Sequence, residues 1–125
     1  MIKYTEEELN KILEDHKLWL NDNKTGKRAD LSDANLENAN LYDANLRNAN
    51  LRGAYLYGAI LEYANLRNAD LRHTNLSNAN LYGAILCRSN LEIASLKGAN
   101  LYKANLSDAN LFGVELRDAI FWGNE

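Results

Sequence analysis

The chain has 125 residues, a net charge of -3 at pH 7 and an isoelectric point near 5.4, which fits a single domain. This acidic balance leaves no overall positive charge with which to bind nucleic acid or an anionic membrane. No apolar stretch is long enough to span a bilayer, and residues 1–8 lack the charged-then-apolar pattern of a signal peptide. The single cysteine, Cys87, cannot form an intramolecular disulfide, and it predicts a reducing, cytoplasmic location.

Residues 5–21 predict an amphipathic helix. Thr5 and Glu8 have the T-x-x-E spacing of a capping box at a helix start. One apolar face at helical spacing carries Leu9, Ile12, Leu13, His16 and Leu20. We expect this helix to form a lid on the N-terminal end of the fold, with Trp19 filling the seam. His16 is expected to be a helix-face residue hydrogen-bonded near the lid rather than a ligand-binding residue.

From residue 29 onward, leucine returns at every fifth position. Nineteen units follow without a gap, eighteen of them centred on leucine and the last on Phe121. Alanine lies two positions before the centre in sixteen units, and Gly, Asn or Asp lies two positions after it in fourteen. Five residues of α-helix advance about 500°, so these leucines would form no stripe, and on a flat strand they would alternate between faces. A chain that bends once per unit instead points both Ala and Leu inward.

Uninterrupted copies of Ala-(Asn/Asp)-Leu-x-x cover residues 29–123, as in ADLSDANLENANLYDANLRNANL over 29–51. This pattern resembles the pentapeptide-repeat protein family. The resemblance implies an all-β fold, a right-handed quadrilateral β-helix with four units per coil. The nineteen units then make about 4.75 coils, a tube about 23 Å long at ~4.8 Å per coil. The predicted domains are an N-terminal α-helical cap and loop over 1–28, the β-helix over 29–123, and a tail over 124–125.

The C-terminal end offers no helix to match the lid. Residues 119–125 read AIFWGNE, and Phe121, which is larger than the leucine it replaces, is expected to plug the last coil. The edge is otherwise bare, and the open edges of solenoids need a cover. Members of the resembled family often associate through this end, which implies a homodimer, with a monomer left open at this edge as the alternative.

If every coil holds twenty residues, side chains twenty apart stack in columns on the four walls of the tube. The position after each centre is expected to point outward, which places Tyr82, Tyr102 and Trp122 in one column. A repeat of ~4.8 Å suits the stacking of flat rings. The column is either a platform for a partner, sugar or base, or a self-stacking ladder that stabilises its wall. The pattern favours the ladder, because any outward aromatic ring in register stacks on its neighbour.

Five arginines gather around one edge of the early coils. They are Arg47, Arg52, Arg67, Arg72 and Arg88. Such a cluster predicts a site for an anion or for an acidic protein partner. The acids on the same wall that could neutralise it are Asp30, Asp33, Asp70 and Glu92. Solvated, partly paired charge is therefore the alternative, and the sequence favours it.

The sequence predicts no enzyme. A filled square tube has no cleft, and His73 and Cys87 lack a third catalytic partner. No spacing of Cys, His or Asp is typical of zinc, calcium or phosphate binding. We expect no catalytic, cofactor or metal site. The predicted function is a non-catalytic solenoid scaffold or protein-interaction module, with no nucleic-acid or membrane partner.

The family resemblance also supplies an alternative function, because some pentapeptide-repeat proteins mimic DNA and act on DNA gyrase or topoisomerase. Mixed charge disfavours it, since residues 29–125 hold eleven acids and eight bases. A rod of about 23 Å is also shorter than the ~34 Å of one DNA turn. We therefore expect no gyrase inhibition in a supercoiling assay. A repeat protein without any partner is a third hypothesis, although the irregular units over 63–81 look natural rather than designed.

Overall fold

The computed structural model describes residues 1–22 and 24–122. Its named elements are β1 (Ile2–Lys3), α1 (Glu6–Asp22) and β2 (Ala34–Asn35). β1 runs parallel to β2, with Ile2 opposite Ala34 and Lys3 opposite Asn35. The sequence does not predict β1, because two residues are too short for any periodic pattern to show.

Parallel bridges join residues twenty apart along the repeats. The series begins with Asp30 opposite Asn50 and ends with Asn100 opposite Ile120. Backbone N–H groups donate across the same bridges, as Asn50 does to the carbonyl of Ala29, the neighbour of Asp30, at 3.0 Å. The chain therefore returns to the same side after four units, the spacing that the family resemblance implies. We call each such twenty-residue stretch a coil.

A tight turn separates successive units. In the first unit the N–H of Ala34 donates to the carbonyl of Leu31 at 3.1 Å, and Asp33 has φ of 56°. The residue two positions after the centre has positive φ in every unit from the one centred on Leu31 to the one centred on Leu116. A type II turn needs positive φ at this position, which Gly, Asn and Asp adopt most readily. The turn therefore explains the composition of that position.

Where Asn or Asp lies just before a centre, it also has a local role. Its side-chain oxygen accepts the N–H two residues on, as Asn35 Oδ1 does from Glu37 at 3.1 Å. Such a bond fixes the entry into the turn. Side-chain ladders between coils are present in places, for example from Asn110 Nδ2 to Asn90 Oδ1 at 3.2 Å.

The core consists of the inward alanine and leucine side chains. The leucine centres from Leu31 to Leu101 are at most 3% exposed. Thr74 and Ser89 replace alanine and are also buried, but their hydroxyls donate to the carbonyls of Leu71 and Leu86 at 2.8 and 2.7 Å. These bonds remove the cost of a buried, unpaired hydroxyl.

The predicted lid is present as α1. The Thr5 N–H donates to Glu8 Oε1 at 2.9 Å, and the Glu8 N–H donates to Thr5 Oγ1 at 3.0 Å. The two bonds confirm the capping box. Hydrogen bonding to the Glu8 carboxylate, first from the Thr5 N–H and then from the Thr5 side chain, lowers the pKa of Glu8. Leu9 is buried against the core, with Ile12 and Leu13 partly buried beside it.

His16 ties α1 to the repeats and is fully buried. Its Nδ1 accepts the N–H of Ala29 at 2.9 Å, so Nε2 carries the hydrogen and donates to the carbonyl of Arg47 at 2.8 Å. Burial lowers the pKa of His16; the bond to the Arg47 carbonyl opposes this, and the charges of Arg28 and Arg47 add to the lowering. Trp19 stacks on the imidazole at 5.7 Å between ring centroids. The expectation that His16 is a helix-face residue hydrogen-bonded near the lid is confirmed, and both of its partners belong to the repeats.

The C-terminal end has no comparable cover among the described residues. The centres Leu111 and Leu116 are 38% and 37% exposed, and Phe121 is 42% exposed. Phe121 therefore leaves the last coil open instead of plugging it, because nothing described lies above it. The predicted tail over 124–125 lies outside the described residues.

Candidate interaction surfaces

The turns fix which side chains reach solvent. The residue after each centre is exposed or half-buried in every unit. The N–H of Asn48 donates to the carbonyl of Arg67 at 2.9 Å, which places consecutive coils in register. Arg47 and Arg67 therefore lie in one column, and Arg52 and Arg72 lie in the next, as predicted from the twenty-residue spacing.

The predicted arginine cluster does occupy one edge of the early coils. Arg88 belongs to it one coil above Asn68, at a turn position with φ of 60°. We call the set Arg47, Arg52, Arg67, Arg72 and Arg88 the arginine surface. Within it, Arg67 and Arg72 are half-buried and the other three are exposed.

One member of the arginine surface is already paired. Arg72 Nε and Nη2 donate to Asp70 Oδ1 and Oδ2 at 2.9 and 2.7 Å. The Arg72 guanidinium lowers the pKa of the Asp70 carboxyl. This two-pronged geometry is the strong form of an Arg–carboxylate contact. The expectation of partial pairing is therefore confirmed at Arg72.

The remaining four arginines have no ion pair within residues 1–22 and 24–122. The other acids expected to neutralise them form no ion pair with an arginine of this surface within the described residues, although the charge of Glu92 contributes to raising the pKa of Arg72. Asp30 accepts the hydroxyl of Ser32 at 2.6 Å and its N–H at 3.1 Å, which lowers the pKa of Asp30. In the same described ranges, neither Asp33 nor Glu92 forms an ion pair with an arginine.

The local sequence explains why, within the described residues, Arg72 forms an ion pair while Arg47, Arg52 and Arg67 do not. Each of Arg47, Arg52, Arg67 and Arg72 follows two positions after a residue whose side-chain oxygen accepts the arginine N–H at 3.1–3.2 Å. Before Arg72 that residue is Asp70, whose carboxylate also captures the guanidinium. Before the other three it is asparagine, which has no charge to hold the guanidinium.

The predicted aromatic column is a longer ladder than the sequence indicates. Tyr82 and Tyr102 lie 5.7 Å apart between ring centroids, tilted by 56°. Tyr63 meets Tyr82 edge-on at 5.5 Å, and Tyr42 meets Tyr63 edge-on at 5.9 Å. We call Tyr42, Tyr63, Tyr82 and Tyr102 the tyrosine ladder. Trp122, the third predicted member, is 71% exposed.

The sequence does not place Tyr63 in this ladder, because the outward position of its unit is Glu62. Tyr63 is the next residue, at φ of 60°, and its ring bridges the gap that Glu62 leaves. Gly83 makes this possible, since a Cβ there would lie 2.8 Å from the Tyr63 ring. Partial burial raises the pKa of Tyr63. The useful signal is a tyrosine at a turn position opposite a glycine twenty residues later.

Lys103 adds charge to the upper part of the tyrosine ladder. Its Nζ lies 5.6 Å from the centroid of Tyr102 and 6.0 Å from that of Tyr82, within reach of a cation–π interaction. The edges and faces of these rings therefore mainly contact one another and Lys103.

Among the described residues, no three His, Cys, Asp or Glu side chains lie close enough to hold a metal ion. Within those ranges, no helix has the length and apolar character needed to cross a membrane. An open cavity of about 680 Å³ runs along α1 beside Tyr4 and Ile12, away from the arginine surface.

Comparison with known proteins identifies the repeats. A family model described as pentapeptide repeats matches eight copies, over residues 27–62, 61–92 and 89–123. No curated protein matches the chain. The chain is similar to the crystal structure of Rfr23, a pentapeptide repeat protein from the cyanobacterium Cyanothece 51142, with 40% identity and a TM-score of 0.74. That match covers 78% of this chain and 67% of Rfr23.

A second similar structure is a pentapeptide repeat protein from the Arabidopsis thaliana thylakoid lumen. It shares 32% identity with a TM-score of 0.70, over 72% of this chain and 63% of that protein. The chain thus spans about two thirds of the length of either protein. The matched repeats and both similar structures agree with the period of five and the bridges at twenty-residue spacing. The chain belongs to the pentapeptide repeat family.

Proposed function

We propose that the chain is a right-handed quadrilateral β-helix that acts as a non-catalytic scaffold or protein-interaction module. Nineteen units at four per coil give about 4.75 coils. The bridges at twenty-residue spacing and the buried alanine and leucine side chains support this arrangement, and the hand follows from the family resemblance. Each coil contacts only its neighbours, so the turns hold outward side chains at fixed positions. Such a frame suits the display of a binding surface.

The observation that carries this proposal is a group of arginines that have no carboxylate partner within residues 1–22 and 24–122. Arg47, Arg52 and Arg67 each directly follow the centre of their unit, in a chain whose net charge is negative. Arginine is enriched in protein interfaces, and its planar fork binds carboxylates through two bonds. The preferred partner is therefore a protein with an acidic surface.

The charge of the chain argues against nucleic acid as a binding partner. It also argues against a function in which the chain mimics DNA. The whole chain carries -3, so a polyanion meets net repulsion beyond the arginine surface. A protein that imitates DNA needs acidic side chains along its walls, and the arginine surface interrupts them. A cytoplasmic location belongs to the same proposal, since the free thiol of Cys87 suits a reducing compartment.

Affinity capture from the host lysate tests the proposal. The bait is the whole chain, compared with R47S/R52S/R67S, which leaves the paired Arg72 in place. The matched control is K24S/K97S/R117S, which removes the same charge elsewhere. We expect the first variant to lose specific prey that the control retains. Equal prey for all three baits would overturn the role of the arginine surface.

We infer a structural role for the tyrosine ladder, because its rings already contact one another. Replacing Tyr82 and Tyr102 with threonine tests this inference. The expected result is a lower melting temperature with unchanged prey, since edge-to-face pairs contribute about 0.5–1.5 kcal/mol each. Loss of prey at unchanged melting temperature would show that the ladder binds a partner.

We also propose that a second copy covers the open C-terminal end, giving a homodimer. The exposed centres Leu111, Leu116 and Phe121 and the neighbouring Trp122 support this proposal. Contiguous apolar surface of this kind is uncommon on monomers and typical of interfaces.

A further inference from the structure

We propose that the arginine surface binds the acidic face of a partner α-helix lying along the direction in which the coils stack. This inference rests on the interaction role proposed above and specifies the shape of the partner. It starts from the three free arginines whose backbones are held alike, Arg47, Arg52 and Arg67.

The spacing of the arginines along the coils fits a helical partner. Arg47 and Arg67 lie one coil apart, at the ~4.8 Å separation of hydrogen-bonded strands. Side chains at i and i+4 of a helix are separated by about 5–6 Å between Cβ atoms. An extended strand repeats the same face only every ~6.6–6.8 Å. A helix therefore stays closer to the register of the arginine columns over successive coils.

The width of the arginine surface, which covers two columns, also fits a helical partner. Arg52 extends the surface around the corner beside Arg47, and Arg88 continues it one coil above Asn68, the neighbour of Arg67. A single row of carboxylates from a strand would meet only one column. The acidic stripe of a helix, with residues at i, i+3, i+4 and i+7, spans two adjacent rows and can meet both columns.

Arg72 shows within the protein how such a carboxylate is held. Its guanidinium contacts both oxygens of Asp70. The backbones of Arg47, Arg52 and Arg67 make the same side-chain-to-N–H bond as Arg72, but to asparagine. Within residues 1–22 and 24–122 their guanidinium groups form no ion pair, although the charge of Arg52 helps to lower the pKa of Asp70. They can therefore bind a carboxylate supplied from outside, whereas Arg72 is already held by Asp70.

This difference gives variants that keep the fold. Asn45→Asp and Asn65→Asp reproduce the Asp70 arrangement before Arg47 and Arg67, so each new carboxylate should capture its own arginine. The matched control is N40D/N75D, which adds the same charge before Tyr42 and Ser77, where no arginine follows. Conversely, Asp70→Asn releases Arg72 and enlarges the free surface.

The probe is a capped, fluorescent 16-residue alanine-based helical peptide with glutamates at positions 2, 5, 6 and 9, which form a two-row stripe on one face. Its counterpart has the same composition with glutamates at 2, 4, 7 and 12, which spread around the helix. Fluorescence anisotropy of each peptide against the whole chain gives the dissociation constants. We expect the aligned peptide to bind at least about fivefold more tightly, a difference of ~1 kcal/mol.

The variants complete the test. N45D/N65D should weaken the aligned peptide by about fivefold, D70N should strengthen it by about twofold, and N40D/N75D should change it by less than twofold. Equal binding of the two peptides, equal weakening by both double variants, or tighter binding of a 12-base-pair DNA duplex would overturn the inference. If lysate capture depends on the arginines but no peptide binds, the helix is wrong and the scaffold role stands. If neither shows binding, both proposals fail.

Discussion

The two ends of the repeat array differ although they are built from the same unit. Leu36 in the first full coil and Leu116 in the last lie in the same column, and they are 3% and 37% exposed. β1 and α1 cover the first, whereas no described residue covers the second. The comparison shows that a pentapeptide unit does not bury its own centre. Burial depends on what lies above or below the coil, as expected when each repeat contacts only its neighbours.

The largest expected effect comes from the matched pair of leucines. Leu36→Ala should lower the free energy of unfolding by about 2–5 kcal/mol, the usual loss for a buried leucine. Leu116→Ala should cost only about 1 kcal/mol, because much of its side chain is already in water. Urea unfolding of both variants at low protein concentration measures the difference. Equal losses would mean that the C-terminal end is covered in solution.

A second prediction concerns the bond that closes the capped end. His16→Ala removes the partners of the Ala29 N–H and the Arg47 carbonyl, and should cost about 1–3 kcal/mol. Lys17→Ala, at the adjacent exposed position, should change stability by less than about 0.5 kcal/mol. Hydrogen exchange at Ala29 reports whether the lid opens locally. Protection that survives in the His16 variant would contradict the assigned role.

A third prediction uses pH to weaken the same end. The pKa of His16 is lower in the fold than the ordinary value near 6.5, so the unfolded chain takes up a proton first as pH falls. The stabilisation is therefore complete above about pH 6.5 and declines below it, toward the folded pKa. Protonated Nδ1 also cannot accept the Ala29 N–H.

Urea unfolding at pH 7.5 and 5.5 tests this sign against His16→Gln, which cannot titrate. The native chain should lose more stability than the glutamine variant over that interval. All carboxylates and His73 are common to both proteins and cancel in the comparison. Parallel losses would show that His16 does not carry the pH dependence.

Substitutions at the open C-terminal end are expected to have the smallest effect on folding stability. They should nevertheless have a clear effect on the oligomeric state. Leu116→Ser with Trp122→Ser should convert the proposed dimer to a monomer while shifting the unfolding midpoint only slightly, because both side chains are exposed. Light scattering after size exclusion measures the mass. Polar replacements at Tyr42 and Tyr57, which are exposed in the first two coils and far from this end, should leave the mass unchanged. A native chain that is monomeric at ~100 µM would contradict the dimer, since the interface would then be weaker than about 5–6 kcal/mol.

The sequence predicts most of the frame, because its rules are local and repeated. The helix expected over 5–21 is observed as Glu6–Asp22 with its capping box, and the columns follow from the twenty-residue spacing. What escapes prediction depends on single side chains. The two bonds of His16 and the insertion of Tyr63 over Gly83 need coordinates, since no period marks them.

The arginine surface lies between these cases. Its membership follows from spacing, and the sequence also suggests that Asp70 neutralises part of it. Sequence alone does not decide which acid captures which guanidinium, because Asp30 and Asp70 occupy equivalent positions. The difference lies in the residue two positions later. Ser32 donates its hydroxyl to Asp30, whereas Arg72 donates its guanidinium N–H groups to Asp70.

The twenty-residue return of the backbone limits how this protein can change length. Removing one unit between Arg47 and Arg67 would leave the core pattern intact but shift every later residue by a quarter of a circuit. Arg67 would then move to the neighbouring wall, and the two arginines would part. Gains and losses that preserve a surface pattern must come in blocks of four units. The fold therefore tolerates a change of one unit, whereas the arrangement of surface side chains is kept only when four units are gained or lost together.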